Sequence, residues 1–303
     1  MTKVRFDQIA KEVRNTFSGD KAGVPIVGLE HIIPNELLLF DHDIDTENTF
    51  TKAFKKGQIL FGRRRAYQQK AAVATFDGIC SGDITVIEPI DGAVCPELLP
   101  FIIQNERFFE HAVRGSAGSL SPRVKWEHLS SYEIELPSYE EQVKLANTLW
   151  AAYNLKTSYK TLLTSIDEMV KSQFIEMFGQ SSLDNGIIGD YLLLKAGKAM
   201  PADRISSSKA DGMFPCFGGN GIRGYVDSYN YDGDYAIIGR QGALCGNVCL
   251  AQGKFYATEH AVVVTPKAIV DSTWLFFALN QMNLNQYARG VAQPGLAVNE
   301  LEK

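Results

Sequence analysis

A basic segment of the chain carries side chains that suit nucleic-acid recognition. Between Thr51 and Ala72 there is no acidic residue, and the basic residues are Lys52, Lys55, Lys56, Arg63, Arg64, Arg65 and Lys70. Tyr67, Gln68 and Gln69 lie among them. Arginine can bond bidentately to guanine, glutamine can bond bidentately to adenine, and lysine can contact phosphate. The segment therefore predicts a DNA contact; a charged loop that is merely solvated is the alternative interpretation.

The arginines and glutamines of this segment lie in a loop between two stretches that read as strands, residues 58–61 and 71–76. A second loop, residues 115–126, is rich in glycine and serine and ends in basic and aromatic residues. We expect both loops to contact DNA. The side chains expected to do so are Arg63, Arg64, Arg65, Tyr67, Gln68 and Lys70 in the first loop, and Ser121, Arg123 and Lys125 in the second.

The sequence shows no recognisable catalytic or metal-binding pattern. The histidines are scattered, at His31, His42, His111, His128 and His260. The Glu259-His260 pair is not followed by residues at metal-ligand spacing, and Ser81 lacks the glycines of a nucleophile elbow. The five cysteines have neither disulfide nor zinc spacing, which predicts buried free thiols. We therefore predict no enzymatic activity, no metal and no cofactor, and keep an enzyme with an unrecognised site as an alternative.

Length, composition and net charge limit the class of protein to which the chain can belong. A chain of 303 residues suggests about two domains, and 45% apolar residues is ordinary for a globular protein. The sequence contains no run of 18 apolar residues, so it predicts no membrane-spanning helix. The N-terminal stretch, residues 1–13, has the charge pattern of an amphipathic helix and lacks the apolar core of a signal peptide, so the expected location is the cytoplasm. The net charge of −5 argues against a uniformly basic DNA binder but allows a local basic face.

A long helix is predicted from Pro137 to Gly179, because nothing breaks it and its apolar residues repeat in heptads. Position a holds Gln142, Leu149, Lys156, Leu163, Val170 and Met177, and position d holds Leu145, Ala152, Tyr159, Ile166 and Gln173. A helix of about 40 residues is roughly 60 Å long, more than a compact domain needs. It is interpreted as a spacer that pairs with another helix; a long core helix of one globular domain is the alternative.

The chain contains a duplication on either side of this helix. Gly62-Arg63 matches Gly239-Arg240 and Pro89 matches Pro266, at an offset of about 177 residues. The offset becomes about 175 in the following stretch, which reads as a helix over residues 96–114 in the first copy and in which Asn105 matches Asn280. The presence of two copies predicts a protein that presents two similar surfaces. In the second copy the candidate DNA-binding residues are Asn220, Arg223, Arg240 and Gln241. The glycine-rich stretch 217–225 lacks the ending of a P-loop, and a tight turn is the alternative reading.

The predicted fold class is α+β. Two similar domains of mixed β-sheet with helices, residues 1–136 and 181–303, are joined by the coiled-coil-type spacer helix, residues 137–180.

Several stretches resemble the DNA-specificity subunits of type I restriction-modification systems. They are Ser121-Pro122-Arg123-Val124-Lys125-Trp126, then Ile134-Glu135-Leu136-Pro137 with Glu140-Glu141-Gln142, then Phe174-Ile175-Glu176-Met177-Phe178-Gly179, and residues 220–248. The resemblance implies two target-recognition domains that each read one half of a split double-stranded DNA site. It implies that the helix spaces them and docks two methyltransferase subunits, that restriction subunits join through the complex, and that this chain does no catalysis.

The family usually carries a second conserved helix after the second recognition domain, and this sequence stops at Lys303. The expectation is a truncated product, a fragment or half of a split subunit. We then expect the apolar seam to be covered in trans, by an antiparallel second copy first of all, or by a helix of a methyltransferase or another specificity subunit. The seam residues are Leu145, Leu149, Ala152, Tyr159, Leu163, Ile166 and Val170.

Two functions from different classes follow. The first is sequence-specific DNA recognition within a methyltransferase or restriction complex, in which Arg64→Ala should weaken binding by about 1–3 kcal/mol and relax one half-site. The second is an interaction protein, a truncated or half subunit that competes with an intact one without independent recognition. The target bases are not predictable, because the loop geometry decides which side chains reach them.

Overall fold

The computed structural model describes residues 2–118, 120–178, 186–242, 244–290 and 294–303. The chain divides into two compact units, Met1–Lys160 and Thr161–Lys303. One long helix begins in the first unit and ends in the second. Its predicted stop, Gly179, lies outside the described residues.

The first unit combines short strands with three short helices that precede the long one. Its strands are β1 (Thr2–Arg5), β2 (Ala10–Val13), β3 (Ile26–Val27), β4 (Leu38–Leu39), β5 (Lys52–Phe54), β6 (Ile59–Gly62), β7 (Ala71–Ala74), β8 (Gly78–Cys80), β9 (Ile84–Pro89) and β10 (Glu133–Leu136). Its helices are α1 (Leu99–Ile103), α2 (Glu106–Arg114), α3 (Trp126–Leu129) and the start of α4 (Tyr139–Phe178).

These strands form a larger sheet in the order β2-β9-β6-β7-β4, a smaller sheet in the order β3-β8-β5, and the pair β1-β10. Successive side chains of a strand point to opposite faces. Ile59 and Phe61 of β6 therefore pack with the helices, in a core that includes Leu99 and Phe108. Leu60 packs in a second core, with residues of the smaller sheet. The unit is a layer of helices, a central sheet and a smaller sheet.

The second unit repeats this plan. Its strands are β11 (Leu192–Ala196), β12 (Phe214–Gly218), β13 (Gly221–Val226), β14 (Tyr231–Asp232), β15 (Tyr235–Gly239), β16 (Val248–Ala251), β17 (Lys254–Ala257) and β18 (Ala261–Pro266). Its helices are α5 (Ile188–Tyr191), α6 (Ser272–Gln281) and α7 (Val298–Leu301), besides the end of α4. The sheets run in the orders β11-β18-β15-β16 and β13-β12-β17-β14.

The strand register confirms the duplication predicted from the sequence. Gly62 pairs with Ile84 in the first unit, and Gly239 pairs with Ala261 in the second. Both residues of the pair lie 177 positions from their counterparts, and β7 and β16 follow the same separation. The two units therefore share one backbone plan down to individual pairs, with β6 at the centre of a five-stranded sheet and β15 as an inner strand of a four-stranded one.

The predicted long helix is present as α4, which has 40 residues. Ser138 and Glu141 form a capping box at its start: the Glu141 carboxylate accepts a hydrogen bond from the Ser138 backbone N–H at 3.0 Å. Gln142 and Ala146 are buried against the first unit. The Gln142 side chain also accepts a hydrogen bond from the backbone N–H of Cys95 at 3.0 Å. The first turns of α4 are thus part of the first unit's core.

Two local expectations differ from the structure. Residues 2–13 form β1, a 3₁₀ turn and β2 in place of an amphipathic helix. Both strands pair with distant partners, β10 and β9, so tertiary pairing overrides the local charge pattern. The helix expected over residues 96–114 is divided into α1 and α2, because Asn105 starts a new helix as its N-cap.

No helix in the described part of the chain combines the length and the apolar character needed to cross a membrane.

Candidate nucleic-acid interface

The arginine-rich loop, residues 63–70, connects β6 to β7 in the first unit. Its base is closed by a hydrogen bond from the Gly62 N–H to the Lys70 carbonyl, 2.8 Å, and its middle is a 3₁₀ turn over Ala66–Gln68. Arg65 and Gln69 flank that turn, and both have left-handed backbone conformations with φ of 53°. The loop is therefore a compact, fixed structure and not a solvated tether.

The second predicted loop packs directly on the arginine-rich loop. Ala117 and Arg123 exchange backbone hydrogen bonds of 3.0 and 2.9 Å, which folds this loop back on itself. The Arg65 N–H then donates to the Pro122 carbonyl at 2.8 Å, and the Val124 N–H donates to the Arg63 carbonyl at 2.9 Å. The structure therefore brings the two sets of predicted residues in the first unit onto one surface.

Asp83 joins the two loops through their arginines. Its carboxylate accepts hydrogen bonds from Arg123 Nε at 2.6 Å and from Arg64 Nη1 at 3.3 Å. Arg64 Nη2 also donates to Ser121 Oγ at 3.0 Å. Hydrogen bonding from Arg123, with a smaller contribution from Arg64, lowers the pKa of Asp83, and partial burial opposes this. Asp83 was not among the predicted residues. The signal that could have indicated an acidic partner elsewhere is the absence of any acidic residue in the basic segment.

The other side chains of the arginine-rich loop are less engaged. Lys70 Nζ donates to the Leu29 carbonyl at 2.6 Å. Within the described residues, the side chains of Arg63, Arg65, Tyr67, Gln68 and Gln69 make no hydrogen bond or ion pair. The Nε atoms of Arg63 and Arg65 are buried without a partner, as is that of Arg64. Tyr67 is 58% exposed. The accessible ends of the five unpaired side chains are therefore available to an external ligand.

Arg63 lines a polar cleft of about 340 Å³ beside the loop. The other lining residues are Glu12, Arg14, Asn15, Thr16, Thr51 and Lys52. In this cleft the cationic side chains of Arg14, Lys52 and Arg63 face one carboxylate, that of Glu12. Glu12 is already paired with Arg14 at 2.7 Å. The cleft therefore favours an anion such as a DNA phosphate. Arg14 was missed by the sequence reasoning because it precedes the basic segment.

The equivalent loop of the second unit, residues 240–247, makes equivalent backbone hydrogen bonds to its neighbours at its described residues. The Gly242 N–H donates to the Pro294 carbonyl at 3.0 Å, and the Leu296 N–H donates to the Arg240 carbonyl at 2.9 Å. These bonds correspond to those of Arg65 with Pro122 and of Val124 with Arg63. Two copies of one scaffold thus present the sequences RRRAYQQK and RQGALCGN.

The glycine-rich turn of the second unit packs on this scaffold. A Cβ on Gly239 would lie 1.8 Å from the Gly219 carbonyl oxygen, and one on Gly219 would lie 2.7 Å from that of Gln241. The glycines are required by close backbone contact, and this places Asn220 beside Gln241. Asn220 Oδ1 accepts a hydrogen bond from Asn247 Nδ2 at 2.8 Å. Arg223 lies farther along, on β13, and is exposed.

The surface next to this turn is polar but uncharged, unlike the basic cleft of the first unit. An open cleft of about 640 Å³ is lined by Asn220, Asn247, Asn280, Asn283 and Asn285, together with Leu244, Cys245, Gly246 and Leu284. Asparagine side chains both donate and accept hydrogen bonds, so they can bond base edges. The sequence reasoning singled out only Asn220, because these residues are dispersed over 66 positions of the chain.

Other side chains that could take part in chemistry are held in structural contacts. His111 and His128 stack with ring centroids 4.2 Å apart, and each Nε2 contacts the backbone carbonyl of the other. Burial raises the pKa of the Cys80 thiol to about 12. Within the described ranges, no group of three or more His, Cys, Asp or Glu side chains is arranged to hold a metal ion.

Comparison with known proteins identifies the family. The family described as "Type I restriction modification DNA specificity domain" matches residues 14–168 and 185–303. The chain belongs to this family. Each matched segment contains the strands of one copy of the repeated plan from β3 to β10 or from β11 to β18, so the chain contains two specificity domains of the family.

Curated relatives match parts of the chain. The type I restriction enzyme EcoprrI specificity subunit of Escherichia coli is 51% identical over 117 residues, 38% of this chain and 29% of that protein. The EcoDI specificity subunit of Escherichia coli is 25% identical over 187 residues, 58% of this chain and 40% of that protein. The matches therefore span less than half the length of these relatives.

A solved structure shares the fold. The crystal structure of the type I restriction-modification system S subunit from M. genitalium superimposes with a TM-score of 0.63 and 14% sequence identity. The match covers 100% of this chain and 83% of that one. At this identity the likeness supports the α+β fold with its long helix.

Along α4, most of the predicted seam is open. Leu145, Tyr159, Leu163 and Ile166 are between 42% and 64% exposed, and Ala152 is also exposed. Leu149 differs, because it packs against the core of the first unit. Val170 is partly buried. The seam is therefore an exposed apolar stripe with one member drawn into a domain core.

A further contact fixes α4 to the first unit. Lys160 Nζ contacts Glu36 Oε1 at 2.6 Å and Lys156 Nζ lies 3.7 Å from the same atom. The hydrogen bond from Lys160, followed by the charge of Lys156, lowers the pKa of Glu36 against the opposing effect of burial. Glu36 sits in a loop of the first unit, far from the helix in sequence, and carried no signal that would identify it in advance.

Proposed function

We propose that this chain is the sequence-specific DNA-recognition subunit of a type I restriction-modification complex. Each specificity domain reads one part of a bipartite double-stranded target. Methyltransferase subunits, two by our expectation, dock on the chain, and restriction subunits join through the complex. The chain itself does no catalysis, needs no cofactor and works in the cytoplasm.

The observation that carries this proposal is the pair of equivalent loops. Residues 63–70 and 240–247 make equivalent backbone hydrogen bonds within each unit but differ at six of their eight positions. Equal scaffolds dock on DNA in the same way, because backbone and phosphate contacts set the position. Different side chains then select different bases. This combination is what a protein needs in order to read two unlike half-sites with two like domains.

In the first domain we assign phosphate contacts to the basic cleft of Arg14, Lys52 and Arg63, and to Lys125. Base contacts come from other side chains of the arginine-rich loop, Tyr67 among them. In the second domain Asn220, Arg223, Arg240 and Gln241 serve these purposes. The net charge of −5 is compatible with this, since the other surfaces bind protein.

A loop exchange tests the proposal. The full chain, expressed with its methyltransferase subunits, is offered a randomised pool of duplex DNA, and the retained duplexes are sequenced. We expect two short specified segments separated by a gap of constant length. Replacing residues 63–70 by the residues of 240–247 should change the bases of one segment and leave the other segment and the gap unchanged.

Three outcomes are informative. A change in one segment only supports one domain per half-site. A change in both segments, or in neither while binding persists, contradicts the assignment of the loop. A chain that binds its methyltransferase partners but retains no sequence from the pool would instead be the competitor or half subunit without independent recognition.

A further inference from the structure

Two residues of the arginine-rich loop occupy a backbone conformation that their side chains disfavour. Five described residues other than glycine have positive φ: Asn35, Asp45, Arg65, Gln69 and Asn283. Asparagine and aspartate tolerate the left-handed region, whereas arginine and glutamine lose free energy there. The φ and ψ angles are 53° and 54° at Arg65, and 53° and 43° at Gln69. Both therefore carry strain, and they stand four positions apart in one loop.

The second domain shows how the same loop is built without strain. The counterparts of Arg65 and Gln69, 177 positions later, are Gly242 with φ of 92° and Gly246 with φ of 89°. Glycine is the default residue at such positions. The backbone N–H of Arg65 and that of Gly242 make equivalent bonds, to the carbonyls of Pro122 and Pro294. The loop therefore requires a left-handed backbone conformation at these two positions, but its backbone does not require a side chain there.

The strained side chains also lack a polar partner within the described residues of the first domain. Within the described residues, neither the Arg65 guanidinium nor the Gln69 amide makes a hydrogen bond or an ion pair. Arg64, between Arg63 and Arg65, is different: its guanidinium bonds to Asp83 and Ser121. Backbone strain that is matched by no internal hydrogen bond or ion pair indicates a function outside the fold.

We propose that Arg65 and Gln69 are the base-reading residues of this loop. Arginine suits the O6 and N7 acceptors of guanine, and glutamine suits the N7 and N6 groups of adenine. Arg64 is a positioning residue, held with Arg123 by Asp83, in place of the base contact expected from the sequence. The proposal rests on the proposed function of DNA recognition and identifies which side chains carry it in the first domain.

The test compares variants of the full chain, expressed with its methyltransferase subunits, on the duplex that the unaltered chain selects. Arg65→Gly and Gln69→Gly copy the second domain at each position. We expect each to lower affinity for that duplex by about tenfold or more, and to relax the base preference at one position of one segment. The melting temperature should stay within about 2 °C, because relief of strain offsets the entropy that glycine adds to the unfolded chain.

Two further variants serve as controls. Asn35→Gly changes another exposed left-handed residue of the same domain and should leave DNA affinity and selected sequence unchanged. Arg64→Ala should lower the melting temperature and the affinity while the selected sequence stays the same, as a positioning role requires.

The possible results distinguish failure of the base-reading role from failure of the proposed function. Wild-type affinity and selection in both glycine variants would overturn the base-reading role while the proposed function stands. A large fall in melting temperature in the glycine variants would also overturn it, by showing that these side chains stabilise the loop. If the unaltered chain selects no sequence at all, the proposed function fails, and the base-reading role fails with it.

Discussion

Asp83 is the acidic centre of the first domain's candidate interface. It receives hydrogen bonds from Arg64 and Arg123, whose backbones belong to two different loops. Its side chain is 19% exposed, so these charge-assisted bonds are only partly screened by water. We predict that Asp83→Asn lowers the free energy of unfolding by about 1–3 kcal/mol at neutral pH, as measured by urea unfolding. Asp91→Asn, in an exposed turn, is the matched control.

The pH dependence of this effect has a definite sign. The folded-state pKa of Asp83 is lowered by its arginine partners, so its contribution to stability is complete above the unfolded-state pKa of about 3.9. That contribution is lost as the pH falls through the lower, folded-state pKa. The stability difference between the wild type and Asp83→Asn should therefore be constant from about pH 7 to pH 5 and shrink below about pH 4. A difference that grows on acidification would contradict the assignment.

Gly239 is required for a different reason, the close approach of two backbones in the second domain. A Cβ there would overlap the carbonyl of Gly219, which cannot move as a flexible side chain can. We predict that Gly239→Ala destabilises the chain by about 2–4 kcal/mol. Gly82→Ala is the control, since no atom lies within 4 Å of its Cβ. Equal melting temperatures for the two variants would show that the turn adjusts freely.

Among the elements, α2 and α6 show how an aligned residue can change its role. Asn105 caps α2 by accepting a hydrogen bond from the Arg107 N–H at 3.0 Å. Its counterpart Asn280 lies inside α6 and donates to the Phe276 carbonyl. We predict that Asn105→Ala costs about 1 kcal/mol of stability, the usual value of an N-cap, and that Asn280→Ala costs less. Denaturant unfolding of both variants measures the difference.

The elements also show what sequence patterns can and cannot predict. The heptad pattern predicts α4, and the repeated Gly-Arg and Pro positions predict the duplicated sheet register. The N-terminal strands escaped prediction because their partners, β9 and β10, are distant in sequence. The arginine-rich loop was predicted by composition. The Asp83 contacts and the strain at Arg65 depend on three-dimensional packing and on backbone angles, which no local pattern encodes.

The helix α4 leads to a prediction about the DNA target. Tyr153, Lys156 and Lys160 are attached to Glu36, so an insertion after Thr161 leaves those contacts intact. One added heptad lengthens the helix by about 10 Å, which corresponds to about 3 base pairs of DNA. If the helix spaces the half-sites, methylation mapping should find a longer gap between unchanged half-sites. Altered bases within a half-site at constant gap would contradict this.

At the scale of the whole molecule, the seam of α4 is the feature that requires an explanation. Tyr159, Leu163 and Ile166 are 60%, 64% and 42% exposed and follow one another at heptad spacing. Burial of apolar surface contributes about 25 cal/mol per Å², so pairing over several turns outweighs the cost of ordering the side chains. We expect the seam to pair with that of a second copy in antiparallel orientation, because a mostly apolar stripe can face itself.

Sedimentation of the full chain at micromolar concentration tests this pairing. We predict a dimer for the unaltered chain and a monomer for the double variant Leu163→Glu, Ile166→Glu, because carboxylates in a paired seam would be buried without partners. Ile175→Glu is the matched control: it is 52% exposed on the same helix but at heptad position f, away from the seam, and should remain dimeric. A monomer that binds no dye for exposed apolar surface would show that self-pairing does not cover the seam. Dimers in all three proteins would place the contact elsewhere on the chain.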